Sequence, residues 1–453
     1  MIARTDTIAA LATPPGVSAL AVVRLSGGEA VDVAGRVFRG RRVLGELPPR
    51  TLAYGHALDA DGAPIDEVTA VVLRAPATAT GEDVVELTCH GGTRSAPRLL
   101  SALFAAGARA ARAGEFTERA FLHGRIDLAQ AEAVADVIHA ETDLAHRLAA
   151  RQIEGALSRG LSAVAESLRD ALAEIEARVD FAEDVDGVAV PAAVADALSQ
   201  AEAALERLLA GADLGRRARE GARVVLAGRP NAGKSSLFNA LLGEDRALVT
   251  AEPGTTRDAL AERVDLEGMP VRLLDTAGLR AAEAIEALGV ERARRELDAA
   301  DLVLWVVDGS RPETDEDRLV FAPLAGRPHV VARNKADLPL PPGSLEPEGA
   351  VRVSALTGEG LPALRSALAA ALRGGRPAGA AAEALVTNGR HIEALRHARE
   401  AIAAARKGAR DGAPGELVAG DVRAALEALG EVTGEAVAPD LLERIFARFC
   451  IGK

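Results

Sequence analysis

The first apolar runs of the chain are short, rich in β-branched residues and bounded by Gly or Pro. SALAVVRLSG (18–27), IDEVTAVVLRAP (65–76) and DVVELTCHGG (83–92) therefore read as strands. Segments 28–38 and 94–106 read as helices, so residues 1–120 predict a small α+β domain. From about residue 127 to 216 apolar residues recur at every third or fourth position with few breakers. That period predicts long helices, interrupted at DVDGVAVP (184–191). Residues 222–373 alternate strand and helix, with strands at 222–228, 271–275, 302–308, 329–334 and 351–355. Such alternation predicts a parallel sheet flanked by helices. GGRPAGAA (374–381) is a Gly/Pro linker, followed by helices over about 382–409, 416–430 and 439–449. The expected fold class is α/β plus all-α. A first domain spans 1–120, and an α/β domain at 217–375 is inserted into a discontinuous helical domain formed by 121–216 and 376–453.

Composition refines this picture. The chain has 453 residues, too many for one compact domain, and 49% of them are hydrophobic. Aromatics make up only 2%, and Ala and Leu fill the apolar positions, which favours helix. The net charge of −13 argues against a broad basic face, so any contact with RNA is expected to be local or shared with a partner. Two cysteines, Cys89 and Cys450, lie far apart and show no metal-ligand spacing, as expected in a reducing compartment. No run of about 18 uninterrupted apolar residues is present, and the N-terminus has no secretory pattern. The expectation is a soluble cytoplasmic protein without membrane contact. Lysine occurs only at Lys234, Lys335, Lys407 and Lys453, against 49 arginines. Where Arg serves every generic positive charge, a lysine is a candidate for a specific chemical task.

Two of those lysines fall inside motifs. After the strand at 222–228 comes Gly228-Arg-Pro-Asn231-Ala232-Gly233-Lys234-Ser235-Ser236, which fits G-x-x-x-x-G-K-[ST] between a strand and a helix. The glycines let backbone N–H groups wrap phosphates, Lys234 supplies a point charge, and the Ser235 hydroxyl can ligate Mg²⁺. Asp275-Thr276-Ala277-Gly278 ends a strand and resembles a γ-phosphate sensor. Asn334-Lys335-Ala336-Asp337 ends another and resembles a guanine reader. The Asp337 carboxylate can accept both N–H groups of guanine's Watson–Crick edge, which adenine does not offer. Ser354-Ala355-Leu356 can present a backbone N–H to the guanine carbonyl. Between the first two motifs lies Thr250-Ala251-Glu252-Pro253-Gly254-Thr255-Thr256, where Thr256 is the candidate to complete Mg²⁺ coordination. Four motifs in order, each at a strand end, point to GTP. Where Ras-like GTPases carry a water-orienting glutamine this chain has Leu279, so another polar group is required; Glu283, Glu286 and Glu291 are available.

GRPNAGKSSLFNALLG, PGTTRD, DTAGLR, NKAD, TGEDVVEL, GEFTERAFL and the terminal FCIGK together resemble the MnmE (TrmE) family of tRNA-modification GTPases over essentially the whole chain. The resemblance implies a folate-binding-like first domain that forms a homodimer, a Ras-like P-loop domain, and potassium-dependent GTP hydrolysis with Mg²⁺. It places K⁺ at Asn231, Thr250, Glu252 and Thr255, and catalysis at Glu286, in a segment one residue shorter than the family pattern. It implies a 5-formyl- or methylene-tetrahydrofolate bound by Arg24, Glu86, Arg125 and Lys453, with Arg125 standing where the family has lysine. It also implies a part for Cys450 in tRNA modification and a flavoprotein partner, MnmG (GidA). The expected outcome is an aminomethyl or carboxymethylaminomethyl group on the wobble uridine of certain tRNAs. An Era/Der-type ribosome-assembly GTPase is the alternative, although no GXXG loop in a suitable context follows the α/β segment.

Overall fold

The computed structural model describes residues 6–180, 190–243, 261–275, 295–312, 326–340, 349–377 and 385–453. Two compact units are present: residues 1–135 with 430–453, and residues 136–429.

The first unit is built on a seven-stranded sheet of β1 (Ile8–Leu11), β2 (Leu20–Ser26), β3 (Phe38–Gly40), β4 (Leu52–Leu58), β5 (Pro64–Leu73), β6 (Val84–His90) and β7 (Arg109–Ala110). Its order is β3-β4-β5-β6-β2-β1-β7, antiparallel except for the β1–β7 pair. Alternation in β2 sends Ala21, Val23 and Leu25 inward and leaves Leu20, Val22 and Arg24 on the other face. The inward face meets α1 (Ala30–Val37) and α2 (Ser95–Ala105), which bury Val33, Val37, Leu99 and Leu103 in one core. The helix α3 (Glu115–Leu122) starts at Gly114, whose φ of 65° is left-handed and where a Cβ would lie 2.7 Å from the Phe446 carbonyl oxygen.

A buried ion network ties α3 to the sheet. Arg119, 3% exposed, donates to the Asp6 carboxylate (2.8 Å), both Glu82 oxygens (3.1 Å each) and Glu115 (3.3 Å). Arg109 grips Glu115 with both terminal nitrogens, at 2.8 and 2.5 Å, and Asp6 with Nε at 2.6 Å. The two buried charges, Arg119 and Glu115, are tolerable because each meets several partners.

The second unit holds a six-stranded sheet of β8 (Ala222–Ala227), β9 (Ala261–Leu266), β10 (Met269–Asp275), β11 (Leu302–Asp308), β12 (His329–Asn334) and β13 (Val351–Arg352). The order is β13-β12-β11-β8-β10-β9, parallel except for the antiparallel edge β9. β8 and β11 are nearly continuous apolar runs because both of their faces are covered. β9 had no strand signature: its charged residues alternate with only Val264 and Leu266 turned into the core.

Helices complete the units: α4 (Leu128–His139), α5 (Asp143–Ile153), α6 (Ala156–Asp180), α7 (Ala192–Leu209), α8 (Ala212–Glu220), α9 (Lys234–Gly243), α10 (Leu361–Leu372), α11 (Gly389–Asp411), α12 (Gly415–Thr433) and α13 (Pro439–Phe446). The run expected to be continuous from 127 is cut twice. Thr142 caps α5 by accepting the Ala145 N–H at 3.2 Å, and Gly155 turns the chain at φ 74°. α7 packs on both α6 and α11, so the helical part is discontinuous in sequence and the α/β segment is inserted within it. Leu144 and Leu148 of α5 and Leu214 and Ala218 of α8 share one core with Val264, Leu266 and Val271 of the sheet. Gln152 closes the return path, donating to the Leu385 carbonyl (3.1 Å) and Thr387 Oγ1 (2.7 Å). Among the described residues no helix is long and apolar enough to cross a membrane.

Burial alone would raise the Glu115 carboxyl pKa, but the Arg109, Arg112 and Arg119 contacts outweigh it and hold the group at about 2. A depressed folded value means the stabilisation is complete above the ordinary 4.5 and is lost as pH falls toward about 2. At pH 7 it amounts to about 3 kcal/mol. Glu115→Gln should lower the urea midpoint for hydrogen exchange in β1 and α3 at pH 7 and narrow the gap from wild type below pH 3; equal midpoints at pH 7 would exclude a stabilising network.

Candidate functional site: a phosphate loop joined to a base-reading loop

The parallel strands deliver their carboxyl ends to one edge of the sheet, where the strand order reverses around β8. That is where an open α/β sheet offers a crevice. The loop after β8 bends sharply: Gly228 has φ 153° and a Cβ there would lie 2.3 Å from the Val306 carbonyl oxygen. Asn231, at φ 63°, and Gly233, at φ 88°, are also left-handed. A non-glycine residue in that region stores strain of the kind found at ligand-binding loops. The loop ends at the N-terminus of α9, so the positive end of the helix dipole faces the loop's interior. The Lys234 ammonium is buried and donates to the carbonyls of Gly228 (3.0 Å) and Arg229 (2.8 Å). Ser235 Oγ donates to Asp275 Oδ2 at 2.6 Å. This pairs the hydroxyl expected on Mg²⁺ with the carboxylate that ends β10, and oxygen donors suit that hard cation.

The loop carrying the candidate base-reading motif is fastened to the candidate phosphate loop by one side chain. Asn334, 2% exposed, donates through Nδ2 to the Ala232 carbonyl at 3.0 Å and accepts the Ala355 N–H on Oδ1 at 3.0 Å. A Cβ on Gly233 would sit 2.2 Å from Asn334 Nδ2, so glycine is required for this approach. Lys335 is left-handed at φ 67° and its ammonium pairs with Asp308 at 2.7 Å. Burial pushes the Asp308 carboxyl up, but Lys335 and Ser310 more than offset this and hold it below the usual range. Asp337 accepts from Ser354 Oγ at 2.6 Å, and Ala336 N–H donates to the Val353 carbonyl at 3.0 Å. With the Ala355 amide engaged by Asn334, the outermost residue of the last motif is Leu356, 86% exposed.

The structure thus brings together Asn231, Ala232, Gly233, Lys234, Ser235, Ser236, Asp275, Asn334, Lys335, Ala336, Asp337, Ser354, Ala355 and Leu356. Thr250, Ala251, Glu252, Pro253, Gly254, Thr255, Thr256, Thr276, Ala277, Gly278 and Glu286 lie outside the described residues.

Comparison with known proteins decides the family. The model described as the GTP-binding protein TrmE N-terminus matches residues 7–125, and that of the MnmE helical domain matches residues 128–450. A tRNA modification GTPase MnmE of Chloroflexus aurantiacus is 48% identical, covering 99% of this chain and 100% of that protein. Those of Symbiobacterium thermophilum and Geobacter metallireducens are 47% and 45% identical, each covering 99% of both chains. The chain belongs to the MnmE family of tRNA modification GTPases.

The MnmE-type first unit carries the other candidate residues. Arg24 and Glu86 are cross-strand partners on β2 and β6 and form an ion pair at 2.7 Å. The Arg24 guanidinium lies 5.9 Å from the centre of the Phe116 ring. The Phe116 N–H donates to the Lys453 carbonyl at 3.2 Å, and Ala113 bridges Ile451, so the C-terminal tail is docked beside that pair. Gly452, at φ 97°, has room only for a hydrogen: a Cβ would lie 2.3 Å from the Leu11 carbonyl oxygen. Cys450 is exposed and free. Arg125 donates through Nε to the Thr78 carbonyl at 3.1 Å, in a loop that Thr80 fastens to Ser26. Sequence reasoning missed Asp308 and Phe116. Asp308 carried a signal, an acid ending the most apolar strand of the sheet; Phe116 looked like ordinary core.

Gly233→Ala should preserve the helical content of the MnmE fold but weaken GDP binding on the order of 100-fold, because the new Cβ must displace Asn334 from both loops. Calorimetric titration showing wild-type affinity would mean that the close approach is not needed for the nucleotide.

Proposed function

We propose that this chain is a potassium-dependent GTPase that, with the flavoprotein MnmG (GidA), adds a C5 aminomethyl or carboxymethylaminomethyl group to the wobble uridine of certain tRNAs. The observation that carries the nucleotide part is the Asn334 bridge, which makes the phosphate loop and the guanine-reading loop one site. The family carries the tRNA part.

In this reading GTP sits over the strand ends. The β- and γ-phosphates draw the Lys234 ammonium away from its carbonyls and lie on the N–H groups opening α9. Ser235 and Thr256, with Asp275 through a water, would hold Mg²⁺, which would neutralise phosphate charge. Asp337 accepts the N1–H and N2–H of guanine, and the Lys335 stem, fixed by Asp308, covers the base. Potassium held by Asn231, Thr250, Glu252 and Thr255 would supply the positive charge that an arginine finger provides elsewhere. Glu286 takes the water-orienting task that Leu279 cannot perform.

The first unit is read as the carbon-donor site. Arg24, Glu86 and Lys453 would bind a 5-formyl- or methylene-tetrahydrofolate, with Arg125 as a further contact. Cys450 lies on the same docked tail as Lys453, which fits a part in the modification step. The active form is read as a cytoplasmic homodimer, with nucleotide turnover in 217–375 passed to residues 1–120 through the helical segments 121–216 and 376–453.

Replacing K⁺ by Na⁺, which is too small to fill a site sized for K⁺, should slow GTP hydrolysis at least about tenfold, because the positive charge is then lost at the developing oxyanions. Glu286→Ala should lower kcat about 100-fold or more while GDP affinity stays within a factor of about two. Equal rates in the two salts would remove potassium from the account, and retained turnover would remove Glu286. Mass spectrometry of wobble uridines from a deletion strain tests the tRNA assignment: unaltered nucleosides would contradict it.

A further inference from the structure

The run RVFRGRR, from the end of α1 through β3, carries Arg36, Arg39, Arg41 and Arg42. All four are exposed, and none makes an ion pair with a described residue. Arg36 donates to the Ala106 carbonyl (2.6 Å) and Arg39 to those of Gly35 (2.8 Å) and Phe38 (3.0 Å), so their guanidinium groups are held in place by neutral acceptors that leave the charge uncompensated. β3 is the edge strand of the sheet, and its Arg39 faces His56 of β4. His56 and the exposed Tyr54 bring two rings within 6.2 Å of each other beside the arginines.

Blunting an exposed edge against strand pairing takes a single charge. Four like charges within seven residues, in a chain of net charge −13, exceed that need and carry a repulsion that nothing within the run relieves. A guanidinium held by carbonyls keeps donors free in a planar fork suited to phosphate, and aromatic rings offer stacking to unpaired bases. We infer that this arginine edge of the first unit docks the phosphate backbone of tRNA. The inference rests on the tRNA reading above and adds where the acidic chain makes its local contact.

Arg41 and Arg42 are exposed and their side chains make no hydrogen bond or ion pair with a described residue, so changing them leaves the unit intact. In fluorescence titrations of the full-length protein with an unmodified tRNA transcript, Arg41→Gln/Arg42→Gln should weaken binding about tenfold at 50 mM salt. It should also reduce the slope of log K against log salt by about 2. Arg41→Lys/Arg42→Lys should retain most of the affinity, and GTP turnover should not change in either variant. A double Gln variant with wild-type affinity and slope would overturn the inference while leaving the tRNA reading intact. Failure of the wild type to bind the transcript would overturn both. Loss of binding to phosphatidylserine vesicles with tRNA affinity unchanged would reassign the edge to a membrane surface and equally overturn it.

Discussion

The Asn334 carboxamide is the constraint on which the candidate nucleotide site depends. It joins two loops far apart in the chain, donating to the Ala232 carbonyl of one and accepting the Ala355 amide of the other. The Ala232 bond is buried and the Ala355 bond partly so, and loss of the buried bond would strand a polar group away from water at about 1–3 kcal/mol. Gly233 is the counterpart: the space its missing side chain leaves is the space Asn334 fills. Ser235 with Asp275, and Lys335 with Asp308, then fix the remaining strand ends against this brace.

The same economy governs the rest of the molecule. The α/β segment shares its core with α5 and α8, so motion at the strand ends and motion of those helices draw on one set of contacts. In the first unit, the guanidinium of Arg119 plays the part that Asn334 plays in the second, joining Asp6, Glu82 and Glu115 from separate elements. The tail lies against residues 113–116, where α3 begins, and two glycines, Gly114 and Gly452, permit the close backbone approaches. An exposed thiol on so constrained a segment has a defined position without being buried.

The nucleotide motifs were legible because each combines residue type, spacing and a position at a strand end, three conditions that rarely coincide by chance. The α/β alternation was legible because strands covered on both faces become unbroken apolar runs, as in β11. β9 was not: as an edge strand it needs only Val264 and Leu266 inside, too few to make a period. The breaks at Thr142 and Gly155 were hidden because helical spacing of apolar residues continues across them, and a cap is a property of one side chain's geometry. Arg24 and Glu86 stood out only through resemblance; their pairing follows from the register of β2 on β6, which no local pattern encodes. The docking of the tail, the Asp308–Lys335 pair and the Arg119 network are long-range contacts of the same kind.

The most direct measurement is calorimetric titration of GDP into Asn334→Ala beside the wild type. If one carboxamide unites the two loops, its removal leaves the Ala232 carbonyl and the Ala355 amide without their partner and should weaken GDP on the order of 100-fold. Affinity within a factor of about three of wild type would show that the loops hold the nucleotide independently, and would contradict the account.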